Sequence, residues 1–162
     1  MVGGTDEGVA GVMPLLDVYS QDVQHMGAPG TGQHTKALNQ IMIATTMVGV
    51  CEALLYAQKA GIDHDKMIKL LSKGGAGSFS LEKLGARMIR RDFDPGFYVE
   101  HFVKDLGIVL EETKRMNLSV PGTAQAYQLY MLMMASGKSR MGTQGLLTVL
   151  EEANRTTVRT YQ

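Results

Sequence analysis

The sequence predicts a mostly α-helical protein: a helical bundle around one long central helix, preceded by a short strand–helix–strand segment. Three observations lead to this prediction. Residues 33–60 contain no proline and a single glycine, and most of their positions are apolar. Further segments with helical spacing follow, each bounded by Gly, Pro or a capping residue. Strand-like patterns occur only before residue 27, so five or six helices dominate the chain.

The first segment resembles the end of an α/β sheet. Residues 1–4 read as the end of a buried strand, and Thr5 or Asp6 can cap a helix that runs to Tyr19. Residues 22–26 alternate in polarity and end at a glycine, which predicts a short strand. A sheet of two strands is only marginally stable. The rest of the sheet is therefore expected either to be missing or to come from another chain.

The central helix follows a turn-rich linker at residues 27–32, which marks a domain boundary. We expect a first unit at 1–29 and an all-helical unit at 30–162. The helix is predicted over Gln33–Ala60, with a cap from Thr31 and a left-handed stop at Gly61. Because it is apolar nearly all round, it is expected to be buried on most sides. Its recurring positions at three-and-four spacing are Leu38, Ile41, Met42, Thr45, Val48, Glu52 and Leu55.

The later helices are bounded by recognisable signals. Asp63 is a candidate cap, residues 73–78 are glycine-rich, and Asp94-Pro95-Gly96 predicts a turn. The predicted helices are 64–72, 78 or 80 to 90, 99–117, 121 to 135 or 136, and 142–159.

Composition excludes several functions. Lys+Arg and Asp+Glu both number 16, so no basic excess points to nucleic acid. No run of about 18 consecutive apolar residues predicts a membrane span, and the acidic start lacks the features of a signal peptide. The four histidines show no metal-ligand spacing, so no metal site is expected. The single cysteine, Cys51, is expected to be buried in a helix, and the twelve methionines are expected to form a helical core or a helix–helix interface.

The densest chemical signal is the segment Gly30-Thr31-Gly32-Gln33-His34-Thr35-Lys36 with Asn39 and Gln40. A glycine turn leads into a helix whose first turn has free N–H groups that can bind an anion. Lys36 lies one turn in, and Gln40 follows one turn later on the same face. Two interpretations stay open from the residues alone. A buried Lys36 could exchange a proton with a substrate, or its amine could extend to solvent.

This segment resembles the catalytic-lysine motif of the β-hydroxyacid dehydrogenases. That family includes 3-hydroxyisobutyrate dehydrogenase, tartronate semialdehyde reductase and, more distantly, 6-phosphogluconate dehydrogenase. The resemblance covers nearly the whole chain, with the matching segments in the family's order. They are residues 1–4, Glu52-Ala53-Leu54, residues 57–63, Gly74 to Ser78, Phe93-x-Pro95-Gly96-Phe97, Lys104-Asp105-Leu106 and Pro121.

The resemblance implies hydride transfer between NAD or NADP and a β-hydroxyacid or semialdehyde. Lys36 would be the general acid/base, and Asn39, Gln40 and Gly32 would bind the substrate. Lys104 would approach the nicotinamide end of the cofactor, and Phe102 would pack nearby. Without the resemblance, Lys104 reads as one half of a surface ion pair and Phe102 as a core residue. Gln40 stands where 3-hydroxyisobutyrate members often carry a second asparagine, which leaves the substrate open.

The resemblance also implies parts that this chain lacks. Residues 1–29 would end a Rossmann-type nucleotide-binding domain, whose glycine-rich turn and ribose-reading residue lie elsewhere. We therefore expect the chain alone to be inactive. The apolar helices predict a homodimer or homotetramer. The expected location is the cytoplasm. A non-catalytic oligomerisation scaffold is the main alternative, and an imine-reducing relative ranks lowest. Relatives of both kinds often lose the lysine, whereas this chain keeps Lys36.

Overall fold

A computed structural model describes residues 1–159 of the chain. Almost all of the regular structure in that range is helical, as predicted. The elements are α1 Asp6–Tyr19, α2 Thr31–Ala60, α3 His64–Leu71, a π-helical segment Ser80–Gly85, α4 Ala86–Ile89, α5 Val99–Arg115, α6 Pro121–Ala135, a 3-10 turn Thr143–Gly145 and α7 Leu146–Asn154.

The predicted strands at the start of the chain reduce to one parallel bridge between Val2 and His25. Its bonds run from Val2 N to the Gln24 carbonyl (2.9 Å) and from Met26 N to the Val2 carbonyl (2.7 Å). Helix α1 has the predicted bounds, and Thr5 caps it by accepting from Gly8 N. Among α1 residues only Val9 is buried. Residues 1–4 are therefore not a buried strand in this chain: Met1 is exposed, residues 2–4 are half-buried, and Gly3 lies against Gly32 at the start of α2.

Helix α2 begins two residues earlier than predicted. The residue before it is Gly30 in the left-handed region (φ 96°), and no side chain caps the helix. Thr31 is the first helical residue rather than the cap, and its hydroxyl donates to the Ala28 carbonyl. At the other end Gly61 adopts the predicted left-handed conformation (φ 70°) and donates back to Ala57 and Gln58.

The expectation that α2 is buried on most sides is wrong. One stripe is buried, and residues that the sequence placed on the recurring apolar face, such as Leu38 (60% exposed) and Met42 (69%), lie outside it. The reason is that an apolar helix can present only one stripe to the helices that pack on it. The buried residues of α2 are Gln40, Ala44, Met47, Val50, Cys51, Leu54, Leu55 and Ala57.

Helix α2 also corrects the sequence prediction on membrane spans. By length and composition it is long and apolar enough to cross a bilayer. The prediction was based on unbroken apolar runs. The helix reaches a high mean hydropathy although small and hydroxyl residues interrupt its apolar positions. Such a helix is weak evidence for a span, because the core helix of a globular bundle meets the same criteria.

The segment after α2 forms a small helical layer. Asp63 caps α3 as predicted, accepting from Lys66 N at 2.8 Å. The next helix, predicted to begin at 78 or 80 and to reach residue 90, begins as a π-helical segment and continues as α4. Gly85 lies at their junction, where an added Cβ would stand 3.4 Å from the Ile68 side chain. Helix α3 therefore lies within contact distance of this junction.

Helices α5, α6 and α7 complete the bundle, and all three pack against α2. Phe102 in α5 and Tyr130 in α6 are fully buried, and their rings meet edge to face at 4.9 Å. Helix α7 is shorter than predicted because Arg155 takes a left-handed conformation (φ 46°) that ends it. The residues beyond it return to the bundle, where Val158 is fully buried.

Two ion pairs hold the segment after α7 and the loop before α5, and of their members only Glu151 is buried. The Glu151 carboxylate accepts from Arg91 Nη1 at 2.6 Å and from Val158 N at 2.7 Å. Arg87 grips the Asp92 carboxylate with two bonds of 2.7 and 2.8 Å, and this bonding lowers the pKa of Asp92. Arg87 therefore holds the loop before α5 in place, and Arg91 pairs with the carboxylate that binds Val158 N.

Candidate functional site between α2 and α5

A groove of about 340 Å³ runs between the first turns of α2 and the middle of α5. That volume suits a small organic acid or one end of a larger ligand. Its walls combine apolar side chains with a few polar groups. The lining residues are Gly30, Gln33, His34, Lys36, Ala37, Gln40, Asp105, Ile108, Val109 and Glu112.

Lys36 lies on the groove wall and is exposed. The structure thus favours the interpretation in which its amine reaches solvent over the one in which it is buried. Its Nζ lies 5.7 Å from the centre of the Phe97 ring, within the range of a cation–π contact. Phe97 in turn meets Phe102 edge to face at 5.5 Å. The core therefore supports the position of the amine through two aromatic rings.

Gln40 lies one turn after Lys36 and is almost completely buried, with 1% of its surface exposed. Its Nε2 donates to Asp105 Oδ2 at 2.7 Å, and its Oε1 accepts from Asn39 Nδ2 at 3.1 Å. Asp105 Oδ1 pairs with Lys104 Nζ at 2.8 Å. A continuous chain of bonds thus joins Asn39, Gln40, Asp105 and Lys104.

The structure brings four of the six predicted residues together and separates two. Lys36, Asn39, Gln40 and Lys104 lie at or beside the groove. Gly32 instead packs against the start of the chain: a Cβ there would lie 2.9 Å from Gly3 N and 3.2 Å from the Met1 carbonyl. Phe102 is fully buried behind Phe97, so the core interpretation of Phe102 fits the structure better than contact with a cofactor.

Sequence reasoning singled out neither Asp105 nor Phe97 as a site residue, although both fell in quoted motifs. A signal for Asp105 was present. Phe102, Leu106 and Val109 are the buried face of α5, and position 105 falls on that face at i+3 from Phe102. A carboxylate at a core-facing position of a helix needs a partner, and that need points to a functional or structural bond.

A family model and curated relatives match most of the chain. A family model described as the NAD-binding domain of NADP-dependent 3-hydroxyisobutyrate dehydrogenase matches residues 30–150. The chain is 49% identical over 157 residues to the probable 3-hydroxyisobutyrate dehydrogenase-like 1, mitochondrial, of Arabidopsis thaliana, covering 97% of this chain and 47% of that protein. It is 38% identical over 151 residues to the 2-hydroxy-3-oxopropionate reductase of Escherichia coli, covering 93% and 52%.

The fold is shared with solved structures of low sequence identity. The 3-hydroxyisobutyrate dehydrogenase of Mycobacterium tuberculosis, solved with L-serine, superposes with a TM-score of 0.86 at 22% identity, covering 93% of this chain and 54% of that one. The chain spans about half the length of the curated relatives it matches.

Proposed function

The chain belongs to the family of NAD-binding domains of NADP-dependent 3-hydroxyisobutyrate dehydrogenases, and from this premise we propose that it is the helical half of an NAD(P)-dependent β-hydroxyacid oxidoreductase. In this proposal Lys36 is the general acid/base, and the groove between α2 and α5 receives the β-hydroxyacid or semialdehyde. One observation carries the assignment to this chain. Lys36 lies on the wall of the groove, one turn before the buried Gln40–Asp105 bond.

The groove residues fit one end of a dinucleotide cofactor but not all of it. The walls are partly apolar, as Ala37, Ile108 and Val109 show, and this suits a nicotinamide ring. The exposed ammonium of Lys104, with 66% of its side chain accessible, suits a polar or anionic group. When bound, the nicotinamide accepts or returns the hydride, and the remainder of the cofactor would be held outside this chain.

The chain's own residues handle the proton. In the oxidation direction the C–H bond of the hydroxyacid gives up its hydride, and the O–H proton passes to Lys36 Nζ as the C=O bond forms. In the reduction direction the Lys36 ammonium donates that proton to the carbonyl oxygen. The Phe97 ring, whose centre lies 5.7 Å from Nζ, helps to hold the position of the amine. Asn39 hydrogen-bonds the substrate beside it.

The experiment is turnover by the whole protein, with NAD and NADP each supplied and a panel of β-hydroxyacids. Lys36→Ala is expected to lower kcat by roughly 10²-fold or more, since general acid–base catalysis contributes that much. Lys59→Ala, in the last turn of the same helix, is the matched control and should leave kcat unchanged. Full activity of the Lys36→Ala protein would refute the assignment.

A non-catalytic scaffold is the second candidate, and self-association as a dimer or tetramer stays a prediction under either function. The observation behind it is an apolar groove lined by Ala53, Tyr56, Ala57, Ile62, Lys66, Met67, Leu70 and Leu71. A wild-type protein that is a folded oligomer but inactive on the whole panel would favour the scaffold over the enzyme.

A further inference from the structure

The Asp105 carboxylate sets the direction of each hydrogen bond in the series that joins Lys104, Asp105, Gln40 and Asn39. A carboxylate only accepts, so Gln40 must turn its amide nitrogen toward Asp105. The Gln40 carbonyl oxygen is then left for the other side, where it accepts from Asn39 Nδ2. All donors in the chain therefore point toward Asp105.

Burial keeps the Gln40 amide in this one orientation. Gln40 is 1% exposed, and the Asp105 side chain is 17% exposed. A reversed Gln40 amide would place its carbonyl oxygen against the carboxylate, with little water to separate them. Lys104 is largely exposed, so the buried Gln40–Asp105 bond, more than the ion pair, holds the arrangement.

We propose, on the basis of the function proposed above, that Asp105 is a positioning residue that determines which end of the Asn39 amide faces the substrate. Asn39 uses an N–H on Gln40, so the carbonyl end of its amide is the end left to face the substrate. The hydroxyl proton of the substrate stays available for Lys36. An amide whose rotation is fixed presents the same end to every substrate molecule and loses no rotational freedom when the substrate binds.

Asp105→Asn is the variant that should reverse the direction of the hydrogen bonds to Gln40 and Asn39. Lys104 only donates, so it retains the oxygen of the new amide and directs the new NH₂ toward Gln40. Gln40 must then turn its oxygen toward position 105 and its nitrogen toward Asn39. Asn39 must turn as well, and it then presents a donor to the substrate.

The first test is the steady-state kinetics of the whole protein with the best hydroxyacid of the panel. Asp105→Asn is expected to raise KM about tenfold, the effect of one lost hydrogen bond. Adding Gln40→Glu to this variant restores an acceptor toward Asn39, so KM should return to within about threefold of the wild-type value. An unchanged KM in Asp105→Asn, or no recovery in the double variant, would overturn the proposal.

A second measurement separates this inference from the proposed function. The side-chain NH₂ signals of Asn39 and Gln40 can be followed by NMR in the 162-residue chain, without cofactor or substrate. Slow exchange of the Gln40 NH₂ protons in the wild type, and displaced Asn39 and Gln40 signals in Asp105→Asn but not in Lys104→Ala, would support Asp105 as the positioning residue. If the wild type turned over no hydroxyacid, the proposed function would fail, and the NMR result alone would decide the positioning role. Signals that Asp105→Asn leaves in place would refute it.

Discussion

The Nε2 atom of Gln40 lies 2.7 Å from Oδ2 of Asp105, and this bond joins α2 to α5 across 65 residues of sequence. Both residues line the same groove as Lys36. The contact that holds the two helices in register is thus also a wall of the candidate site. Changes to it are expected to affect stability as well as ligand binding.

Asp105→Ala is expected to lower the free energy of unfolding by about 1–3 kcal/mol, because the buried Gln40 amide loses its acceptor. Lys104→Ala is the matched control: it removes only the exposed ammonium of the same ion pair and should cost less than about 1 kcal/mol. Urea denaturation of the 162-residue chain measures both. Equal losses from the two variants would show that the ion pair, not the bond to Gln40, provides the stability.

Gly32→Ala is expected to displace the first residues of the chain without unfolding the bundle. The new Cβ would lie 2.9 Å from Gly3 N and 3.2 Å from the Met1 carbonyl, and neither backbone group can move alone. Limited proteolysis should then cut within residues 1–30 faster than in the wild type. Gly49→Ala is the control, since a Cβ there would meet no atom within 4 Å outside the nearby backbone of its own helix. Alanine at this helical position should raise the free energy of unfolding by about 0.5–1 kcal/mol. Unchanged cleavage in Gly32→Ala would contradict the close packing.

Cys51 predicts a loss of stability in alkali. Burial, and then the nearby charges of Glu151 and Glu52, raise the pKa of the thiol far above its ordinary value of 9.0. The unfolded thiol ionises above that value while the folded thiol stays protonated, so the unfolded state binds fewer protons. Stability contributed by the neutral thiol is therefore complete below about pH 9 and falls by about 1.4 kcal/mol per pH unit above it.

The measurement is urea denaturation at pH 8, 9 and 10 for the wild type and Cys51→Ala. The variant loses packing at every pH, so the slopes are compared rather than the absolute values. We expect a shallower alkaline slope in Cys51→Ala. Identical slopes would show that the thiol is not the group responsible.

Glu151→Ala should destabilise the chain by about 1–3 kcal/mol, because Arg91 and the Val158 N–H both lose their acceptor. Glu151→Gln keeps an acceptor oxygen and should lose less. Glu152→Ala provides the comparison: this neighbouring carboxylate is 65% exposed in its pair with Lys138, and its removal should cost under about 1 kcal/mol. Thermal unfolding followed by circular dichroism gives the ranking, and a Glu152→Ala loss as large as that of Glu151→Ala would contradict it.

The sequence predicted the helices well because their ends carry local signals. Thr5, Gly61 and Asp63 lie at the predicted helix ends, and each acts through its own backbone conformation or a neighbouring N–H. Thr31 shows the limit of this reasoning. A left-handed glycine at position 30 lets the helix begin earlier, and no side-chain cap marks that start.

Contacts between distant segments could not be predicted in the same way. The spacing of apolar residues in α2 did not reveal the buried stripe, since nearly every face of that helix is apolar. The polar residue on the core side, Gln40, would have marked it, but its partner Asp105 becomes apparent only when α5 is placed beside it. Phe102 likewise needed the positions of Phe97 and Tyr130 before it could be assigned to the core.

Helix α2 packs against α3, the π-helical segment, α5, α6 and α7. Helix α2 is thus the common packing partner of most other helices. Its own buried stripe is exposed to water until those helices have assembled. A partial bundle would leave part of this stripe, which includes the fully buried Met47 and Leu54, in contact with water. The bundle is therefore expected to fold and unfold in a single cooperative transition, without a stable intermediate that retains half of its helices.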